Sequence, residues 1–306
     1  MRLSVIIVTK NRAHHIAPCL DSIAAAFARA APLDAEIVIV NNGSTDNTAA
    51  AIFDWSTANT VPIRALWEPR PGKARGLNLA LRVARGDLLA FTDDDCRLHP
   101  EYVNDLLRHD AADNELVLRG GRVELYDPTD LALTINISPT PKRWSPADPV
   151  IYATLYDSIL AGELNGCNIA MRRELVDRLG PFDEDFGPGS RVGSNDDVEY
   201  WFRACAKNVT FEYVSDMTVF HHHERKTNEQ AAAVYRRYTI GWGGVHAKYP
   251  LKDYGYYREV YRDLRAILRG NNALLPGFSR MDKLICEARG AWRYFWAQLT
   301  RLPLTK

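Results

Sequence analysis

Two clusters of acidic residues stand far apart in this 306-residue chain, and both could take part in chemistry. Asp93, Asp94 and Asp95 directly follow an apolar run, whereas Asp196 and Asp197 open a predicted helix. Adjacent carboxylates repel one another, so a divalent cation with oxygen ligands would stabilise the first cluster. A carboxylate of the second cluster could serve as a general base toward a hydroxyl. The simpler interpretations are a solvated acidic turn and side chains that complement a helix dipole.

A run of three histidines could add nitrogen ligands to these carboxylates. His221, His222 and His223 follow a predicted strand, on which His221 and His223 would share a face. Neutral imidazole is a common metal ligand, although a histidine run more often lies on the surface without a metal.

Glycine-rich phosphate-binding loops are absent from the sequence. No G-x-G-x-x-G motif follows the first apolar run, and no G-x-x-x-x-G-K-S/T loop occurs. Phosphate affinity would therefore have to come from a metal ion and from cationic side chains such as Lys73, Arg75 and Arg191.

Alternating strand and helix signals in the first half predict the framework that positions these residues. The predicted strands are Leu3–Val8, Glu36–Val40 and Leu88–Thr92. The predicted helices are His14–Ala31, Asn47–Ala58 and Lys73–Arg85. This alternation indicates a parallel sheet covered by helices on both faces, with ligands bound at the carboxyl ends of the strands.

The second half is predicted to be more irregular. The segment Asp127–Pro149 holds five prolines and predicts a loop or a boundary. The elements predicted after it are strands at Gly166–Met171 and Val209–Val214, helices at Arg172–Leu179 and Asp196–Lys207, and a loop over Gly180–Asn195. From Thr227 onward the chain is predicted to be mostly helical.

Composition narrows the classes of function. The chain carries 38 basic and 38 acidic side chains, and this balance argues against nucleic acid as the main partner. Its five cysteines form no Cys-x-x-Cys pair, which fits a reducing cytoplasm. No run of 18 apolar residues occurs, so we expect a soluble protein or one that lies on a membrane surface.

The order of the motifs along the chain resembles that of a family-2 glycosyltransferase, over about residues 2–225. The matching segments are Ser4–Arg12, Asn42–Asp46, Pro71–Asn78, Asp93–Asp95, Asn165–Arg173, Gly180–Glu184 and Asp196–Asp197. The resemblance implies an α/β fold of GT-A type, with a Rossmann-like, mostly parallel sheet flanked by helices. It further implies a catalytic domain over 1–225, with a nucleotide-sugar-binding half at 1–125 and an acceptor-binding half at 150–225. A helical C-terminal extension would follow at 226–306.

The implied activity is metal-dependent transfer of a sugar, with inversion, from a UDP-, dTDP- or GDP-sugar to an acceptor hydroxyl. Polysaccharide or glycoconjugate biosynthesis would use such a reaction. The residues that the resemblance places against the nucleotide sugar are Thr9, Asn11, Arg12, Asn41, Lys73, Asn78, Asp93 and Asp94. The residues that it assigns to Mn²⁺ or Mg²⁺ are Asp93, Asp95 and His221, with His223 as the alternative histidine. Asp197 is the implied base.

Two positions depart from the family pattern, and two other functions stay open. Asn41 stands where aspartate is common, and Asp196 replaces the usual glutamate, so that Asp196 is an alternative base. A sugar-phosphate nucleotidylyltransferase would need a glycine-rich loop after the first strand, which Thr9–Ala13 lacks. A non-catalytic nucleotide-sugar-binding protein would not need a second acidic cluster.

The last quarter contains an apolar stripe at helical spacing. Its residues are Met281, Leu284, Ile285, Ala288, Trp292, Phe295, Trp296 and Leu299. Residues 288–306 carry Arg289, Arg293, Arg301 and Lys306 and no acid. Such a helix could contact an anionic membrane through 281–302, on the inner face and near a saccharide or lipid-linked acceptor. The alternative, which we favour from the sequence alone, is packing on the catalytic domain or in a homodimer.

Overall fold

Four segments at the start of the chain form the parallel part of the sheet. The strands are β1 (Leu3–Thr9), β2 (Ala35–Asn41), β3 (Ile63–Trp67) and β4 (Leu88–Asp93), in the spatial order β3-β2-β1-β4. The connecting helices are α1 (Ala13–Arg29), α2 (Thr48–Ala58) and α3 (Lys73–Val83). This computed structural model describes residues 2–147, 157–159, 162–250 and 254–300.

Strand β1 is buried on both faces because helices cover both sides of the sheet. Leu3, Val5 and Ile7 pack in a cluster with α1, whereas Ile6 packs in a second cluster with α3. Successive side chains of a strand point to opposite faces, so one continuous apolar run supplies both halves of the core.

The sheet continues beyond β4 in a mixed arrangement. The further elements are β5 (Cys96–Leu98), α4 (Tyr102–Ala112), β6 (Val117–Leu125), β7 (Lys142–Trp144), β8 (Asn168–Arg172), α5 (Arg173–Leu179), α6 (Asp196–Ala206) and β9 (Thr210–His221). Strand β8 runs antiparallel between β4 and β6, and β9 is parallel to β6. This mostly parallel sheet flanked by helices confirms the predicted fold class.

The structure corrects several predicted boundaries. Strand β7 lies inside the proline-rich segment that we predicted to be a loop, and Pro149 of that segment lies outside the described residues. Strands β3 and β6 were not predicted. In β6 the buried Arg119 interrupts the apolar pattern, and it is tolerated there because Asp113 and Glu212 pair with it. Strand β9 runs seven residues beyond the predicted end at Val214, to His221.

Three helices and a short hairpin form the C-terminal part. They are α7 (Asn228–Lys248), α8 (Tyr254–Leu268), β10 (Ala273–Leu275), β11 (Phe278–Ser279) and α9 (Arg280–Leu299). Helix α9 lies close to α7: a Cβ atom on Gly290 would stand 1.8 Å from the Ile240 carbonyl oxygen. Only glycine permits this approach.

The close packing of α9 buries its small residues and leaves most of its apolar stripe in solvent. Trp292 is 66% exposed, and the other exposed apolar residues of α9 above 40% are Met281, Ile285, Phe295, Trp296 and Leu299. The opposite side of α9 contacts the catalytic part of the chain, where Gln298 Nε2 donates to Asp185 Oδ2 at 2.9 Å. Packing of the exposed stripe in a homodimer stays a prediction. Arg301 and Lys306 lie outside the described residues. None of the described helices is long and apolar enough to span a bilayer.

Candidate active site

Asn11 joins the loops that follow β1 and β2. Its backbone is in the left-handed region (φ 54°), where asparagine is more readily accommodated than most residues. The Asn11 N–H donates to Ser44 Oγ at 2.9 Å, and Asn11 Oδ1 accepts from the Thr45 N–H at 2.8 Å. The two loops therefore form one surface at the carboxyl ends of the strands.

Thr9 and Asn41 stand side by side at the ends of β1 and β2, and both are buried. Asn41 Oδ1 accepts from the Ser44 N–H at 3.0 Å. Asn41 Nδ2 is also buried and finds no hydrogen-bond partner among the described residues. Because an unpaired buried donor is costly, this amide group is well suited to a ligand that offers an acceptor.

Asn42 organises the segment that leads to Lys73, a role that we did not assign from the sequence. Its Nδ2 donates to the carbonyl oxygens of Glu68 and Arg70, at 3.0 and 2.8 Å, and its Oδ1 accepts from the Gly72 N–H. Its place in the Asn42–Asp46 motif was the available signal.

The three acids after β4 have different partners. Asp93 Oδ1 lies 2.5 Å from Lys73 Nζ. The Arg12 guanidinium lies 3.9 Å from Asp94 Oδ1 and 3.6 Å from Asp95 Oδ2. Burial, and then the neighbouring carboxylate of Asp95, raise the pKa of Asp94.

His221 faces Asp95, with Nε2 3.4 Å from Asp95 Oδ1 and both side chains buried. Burial favours the neutral imidazole, but the Asp95 carboxylate outweighs it and raises the pKa of His221 to about 9. Against the effect of burial, His221 and then Arg12 hold the pKa of Asp95 below its ordinary value. The structure therefore brings Asp95 and His221 together, while Asp93 contacts Lys73 instead.

His223 has other partners. Strand β9 ends at His221, so His223 does not extend the strand as we expected. The Nε2 atom of His223 lies 3.0 Å from the Leu131 carbonyl oxygen, and its Nδ1 accepts from the Arg225 N–H at 3.1 Å. Both ring nitrogens are thus occupied by backbone groups.

The second acidic cluster lies at the first turn of α6. Asp197 Oδ2 accepts from the Gly166 N–H at 3.1 Å, and a Cβ atom on residue 166 would stand 2.4 Å from that oxygen. Asp196 is buried, whereas Asp197 is partly exposed. Burial raises the pKa of both carboxyl groups, although the Lys73 charge opposes this effect.

Lys73 connects the two acidic clusters. Burial alone would lower its pKa, but the carboxylates of Asp93, Asp196 and Asp197 raise it well above the ordinary value. The Lys73 ammonium group therefore interacts electrostatically with acids that stand more than 100 residues apart in the sequence. The loop before α6 makes the same connection: the Lys73 N–H donates to the Pro188 carbonyl oxygen at 2.9 Å, and a Cβ atom on Gly187 would stand 2.9 Å from Asp196 Cγ. The two clusters therefore lie near one another around Lys73.

Tyr238 of α7 lies near both acidic clusters, within the segment Tyr235–Gly244 that we expected from the sequence to face the acceptor. Burial raises its pKa, and the carboxylates of Asp197 and Asp93 act in the same direction.

Two other predicted ligands are engaged elsewhere. Asn78 exchanges two hydrogen bonds with the backbone of Phe182, at 3.0 and 2.8 Å. Arg191, which we expected near phosphates, donates to Thr300 Oγ1 and to the Ala297 carbonyl oxygen at the end of α9.

The residues around Asp95 fit a divalent cation. Asp95, Cys96 and His221 each offer one ligand atom, and these atoms lie within 4.8 Å of one another. All three residues are buried beside Asp93 and Asp94. A cation would offset the repulsion among these acids, and their carboxylate oxygens suit Mn²⁺ or Mg²⁺.

The sheet, the loops at its carboxyl edge and the cleft between two acidic clusters define an α/β enzyme of the GT-A fold. Mannosyltransferase PcManGT from Pyrobaculum calidifontis, solved with GDP-Man and Mn²⁺, shares this fold with a TM-score of 0.60. The similarity covers 99% of this chain and 76% of that one, at 21% identity. S. aureus TarS 1–349 in complex with UDP-GlcNAc gives a TM-score of 0.59 at 17% identity, covering 96% and 89% of the two chains.

The chain belongs to glycosyl transferase family 2, whose model matches residues 4–180. Among curated relatives, glycosyltransferase AglE of Haloferax volcanii is 24% identical over 220 residues, which is 72% of this chain and 66% of AglE. A second relative, the putative glycosyltransferase EpsH of Bacillus subtilis, is 26% identical over 143 residues, 45% of this chain and 40% of EpsH. The chain thus spans less than two thirds of either relative.

Proposed function

We propose that this enzyme transfers a sugar from a nucleoside-diphosphate sugar to an acceptor hydroxyl, with a divalent cation and with inversion. The observation that carries the proposal is the cleft around Lys73, where the Asp93 cluster and the Asp196–Asp197 pair meet. A donor bound at the strand ends would lie between a cation-binding group and a base. A nucleotidylyltransferase would need a glycine-rich loop after β1, which Thr9–Ala13 lacks. A non-catalytic binding protein leaves the second acidic pair without a role.

The donor pocket has the groups that a nucleoside diphosphate needs. Thr9, Asn11 and Asn41 line its base and ribose end, and Arg12 and Lys73 offer positive charge toward the phosphates. Asn41 Nδ2, which has no partner among the described residues, is a hydrogen-bond donor, whereas an aspartate at this position would offer only acceptors. The complexes of PcManGT with GDP-Man and of TarS with UDP-GlcNAc support a nucleotide-sugar donor.

Asp93, Asp95 and His221 would hold Mn²⁺ or Mg²⁺ in this proposal. When bound, the cation would stabilise the negative charge that develops on the leaving diphosphate. Asp93 would exchange its contact with Lys73 for one with the cation, which frees the ammonium group to bind phosphate oxygen.

Asp197 is the better candidate for the base. Its carboxylate is partly exposed to the cleft, and the Gly166 N–H fixes its orientation while leaving lone pairs for an acceptor hydroxyl. Its pKa is raised by burial, which makes it a stronger proton acceptor. Asp196 is buried and would help to hold Lys73 in place.

Helix α9 supports a proposal about the acceptor. Its exposed aromatic stripe, flanked by Arg289 and Arg293, suits the interface of an anionic membrane. We place the enzyme on the cytoplasmic membrane face, with a lipid-linked acceptor, in polysaccharide or glycoconjugate synthesis. The five cysteines, all free and buried, fit a reducing compartment. A homodimer that covers the stripe is the competing arrangement.

The test of the function is a donor-hydrolysis assay, in which water takes the place of the acceptor hydroxyl and receives the sugar. Purified enzyme is incubated with UDP-, dTDP- and GDP-sugars, with Mn²⁺, with Mg²⁺ or with EDTA, and release of nucleoside diphosphate is measured. We expect release with at least one donor, only when a divalent cation is present. The proposal fails if every donor is unreactive although thermal shifts show cation-dependent binding, because that result describes a binding protein.

A further inference from the structure

Outside the donor pocket, His14, His15 and Glu224 form a second cluster of metal-ligating side chains. The two histidines lie in the first turn of α1, and Glu224 follows the end of β9. Each histidine Nε2 stands 3.5 Å from Glu224 Oε2, and one ligand atom from each of the three residues lies within 4.8 Å of the others.

His15 is the unusual member of the cluster. It is only 3% exposed, and its buried Nε2 has no hydrogen-bond partner among the described residues. The 3.5 Å spacing is also too long for a direct bond. His109 and Asp216 show the ordinary alternative in this molecule, with Nε2 2.8 Å from Oδ1. A buried imidazole nitrogen without a partner is costly, which points to a missing ligand.

The Glu224 backbone is held so that its side chain faces the histidines. Glu224 has a left-handed conformation (φ 59°), and its N–H donates to Asp130 Oδ2 at 2.9 Å. The imidazole ring of His222 stands beside that of His15, with the two ring centroids 5.4 Å apart. The side of the cluster that His14 and Glu224 form is open to solvent, with 63% and 43% of these side chains exposed, so an ion can enter.

We propose that His14, His15 and Glu224 bind a zinc ion at a site separate from the pair Asp95 and His221. Zinc–ligand bonds of about 2.0–2.1 Å in a tetrahedron place neighbouring ligand atoms roughly 3.3 Å apart, close to the spacing observed here. Two imidazoles and one carboxylate form a known type of zinc ligand set, with water in the fourth position. Imidazole nitrogen also favours zinc over magnesium or manganese.

The ion would join the first turn of α1 to the segment that follows β9. That segment is next to the donor site, because the His222 N–H donates to the Asp95 carbonyl oxygen at 2.8 Å. The proposal does not depend on the sugar-transfer function, because it rests only on the three side chains and their geometry.

Zinc content after gel filtration tests the site. The Asp95→Asn variant, which weakens the other cation site, is loaded with zinc in excess Mg²⁺ and its metal content is measured by mass spectrometry. We expect one zinc ion per chain. Adding Glu224→Gln or His15→Ala to this variant should abolish the bound zinc, whereas the matched control His109→Ala should retain it.

Affinity and folding measurements complete the test. Loss of an outer-shell partner alone costs about 10–100-fold in metal affinity, so loss of a direct ligand should weaken zinc binding by at least about a hundredfold. Circular dichroism of the metal-free variants checks that each is folded, and exposed Glu224 gives the safer substitution. The proposal is overturned if Asp95→Asn binds no zinc, or if folded Glu224→Gln binds zinc as tightly as its parent.

Discussion

The donor side of the site and helix α9 of this chain bury opposite kinds of groups. On the donor side, the charged residues Asp94, Asp95 and Asp196 lie inside the protein, and the partly exposed Arg12 and Lys73 balance their charge. On α9, glycine is buried and tryptophan is exposed. Each arrangement is costly for the isolated chain. The comparison therefore indicates where partners bind: a charged ligand in the cleft, and an apolar surface on α9.

The largest expected effect concerns the acids of the cleft. Asp197→Asn should lower the turnover of sugar transfer by about 10²–10⁴-fold, because the general base is lost. Donor affinity, measured by thermal shift or calorimetry, should stay close to that of the wild type. Asp54→Asn, on the exposed surface of α2, is the matched control. If Asp196→Asn abolishes turnover and Asp197→Asn does not, the two acids have the opposite roles.

The second effect is the pH dependence of stability in the metal-free state. The pKa of His221 is raised to about 9 in the fold, from 6.5, because the Asp95 carboxylate outweighs the opposing effect of burial. Protonation of His221 therefore stabilises the fold fully below about pH 6.5, and this contribution, up to about 3 kcal/mol, is lost as the pH rises through 9.

Urea unfolding in EDTA at pH 6.5 and pH 9.5 measures this loss. The His221→Gln variant should show a smaller decline over the same interval, since it has no imidazole to titrate. An equal decline in the wild type and the variant would show that the pair of His221 and Asp95 does not contribute the charge stabilisation described here.

The third effect concerns the contact between α7 and α9. Gly290→Ala places a methyl group against the Ile240 carbonyl oxygen and should destabilise the protein by about 1–3 kcal/mol. The matched control is Ala288→Ser, because Ala288 lies in the same helix and is exposed. Gly270→Ala would not serve, because Gly270 has a left-handed backbone (φ 78°) that alanine rarely adopts. An unchanged midpoint of denaturation for Gly290→Ala would mean that the two helices are farther apart.

The smallest effect on stability is expected from substitution of the exposed tryptophans of α9. The same variant also tests whether α9 binds a membrane. The double variant Trp292→Ser and Trp296→Ser should unfold within about 0.5 kcal/mol of the wild type, because both rings are exposed. Its sedimentation with anionic vesicles should fall clearly below that of the wild type and of the control Phe53→Ser. If the wild type does not bind vesicles and the double variant no longer dimerises, the result supports the homodimer instead.

Much of the donor side could be predicted from the sequence, and little of the C-terminal part could. Asn41 and Asp93 are the last residues of β2 and β4, and Asn11 closely follows the end of β1, so short motifs at the strand ends suffice to place them. The orientation of α9 depends on two close contacts, of Gly290 on α9 with Ile240 and of Gly243 on α7 with Glu287, which leave no periodic signal. The stripe of apolar residues was visible, but the same pattern describes a buried face and an exposed one.

The contacts of individual side chains in the cleft were also beyond sequence reasoning. The sequence indicates that Asp93 and His221 are candidates for one cation, but not that Lys73 holds Asp93 at 2.5 Å. Likewise, the hydrogen bonds of Asn78 and His223 to distant backbone groups depend on the packing of the whole domain.

The central claim is that the two acidic clusters face one bound donor from different sides. A crystal structure of the enzyme with Mn²⁺ and a nucleoside-diphosphate sugar, with anomalous diffraction to locate the metal, tests this claim most directly. We expect the manganese peak on Asp95 and His221, and the Asp197 carboxylate facing the anomeric carbon of the donor with space between them for an acceptor hydroxyl. Manganese bound away from Asp95, or Asp197 turned away from the sugar, would contradict the account.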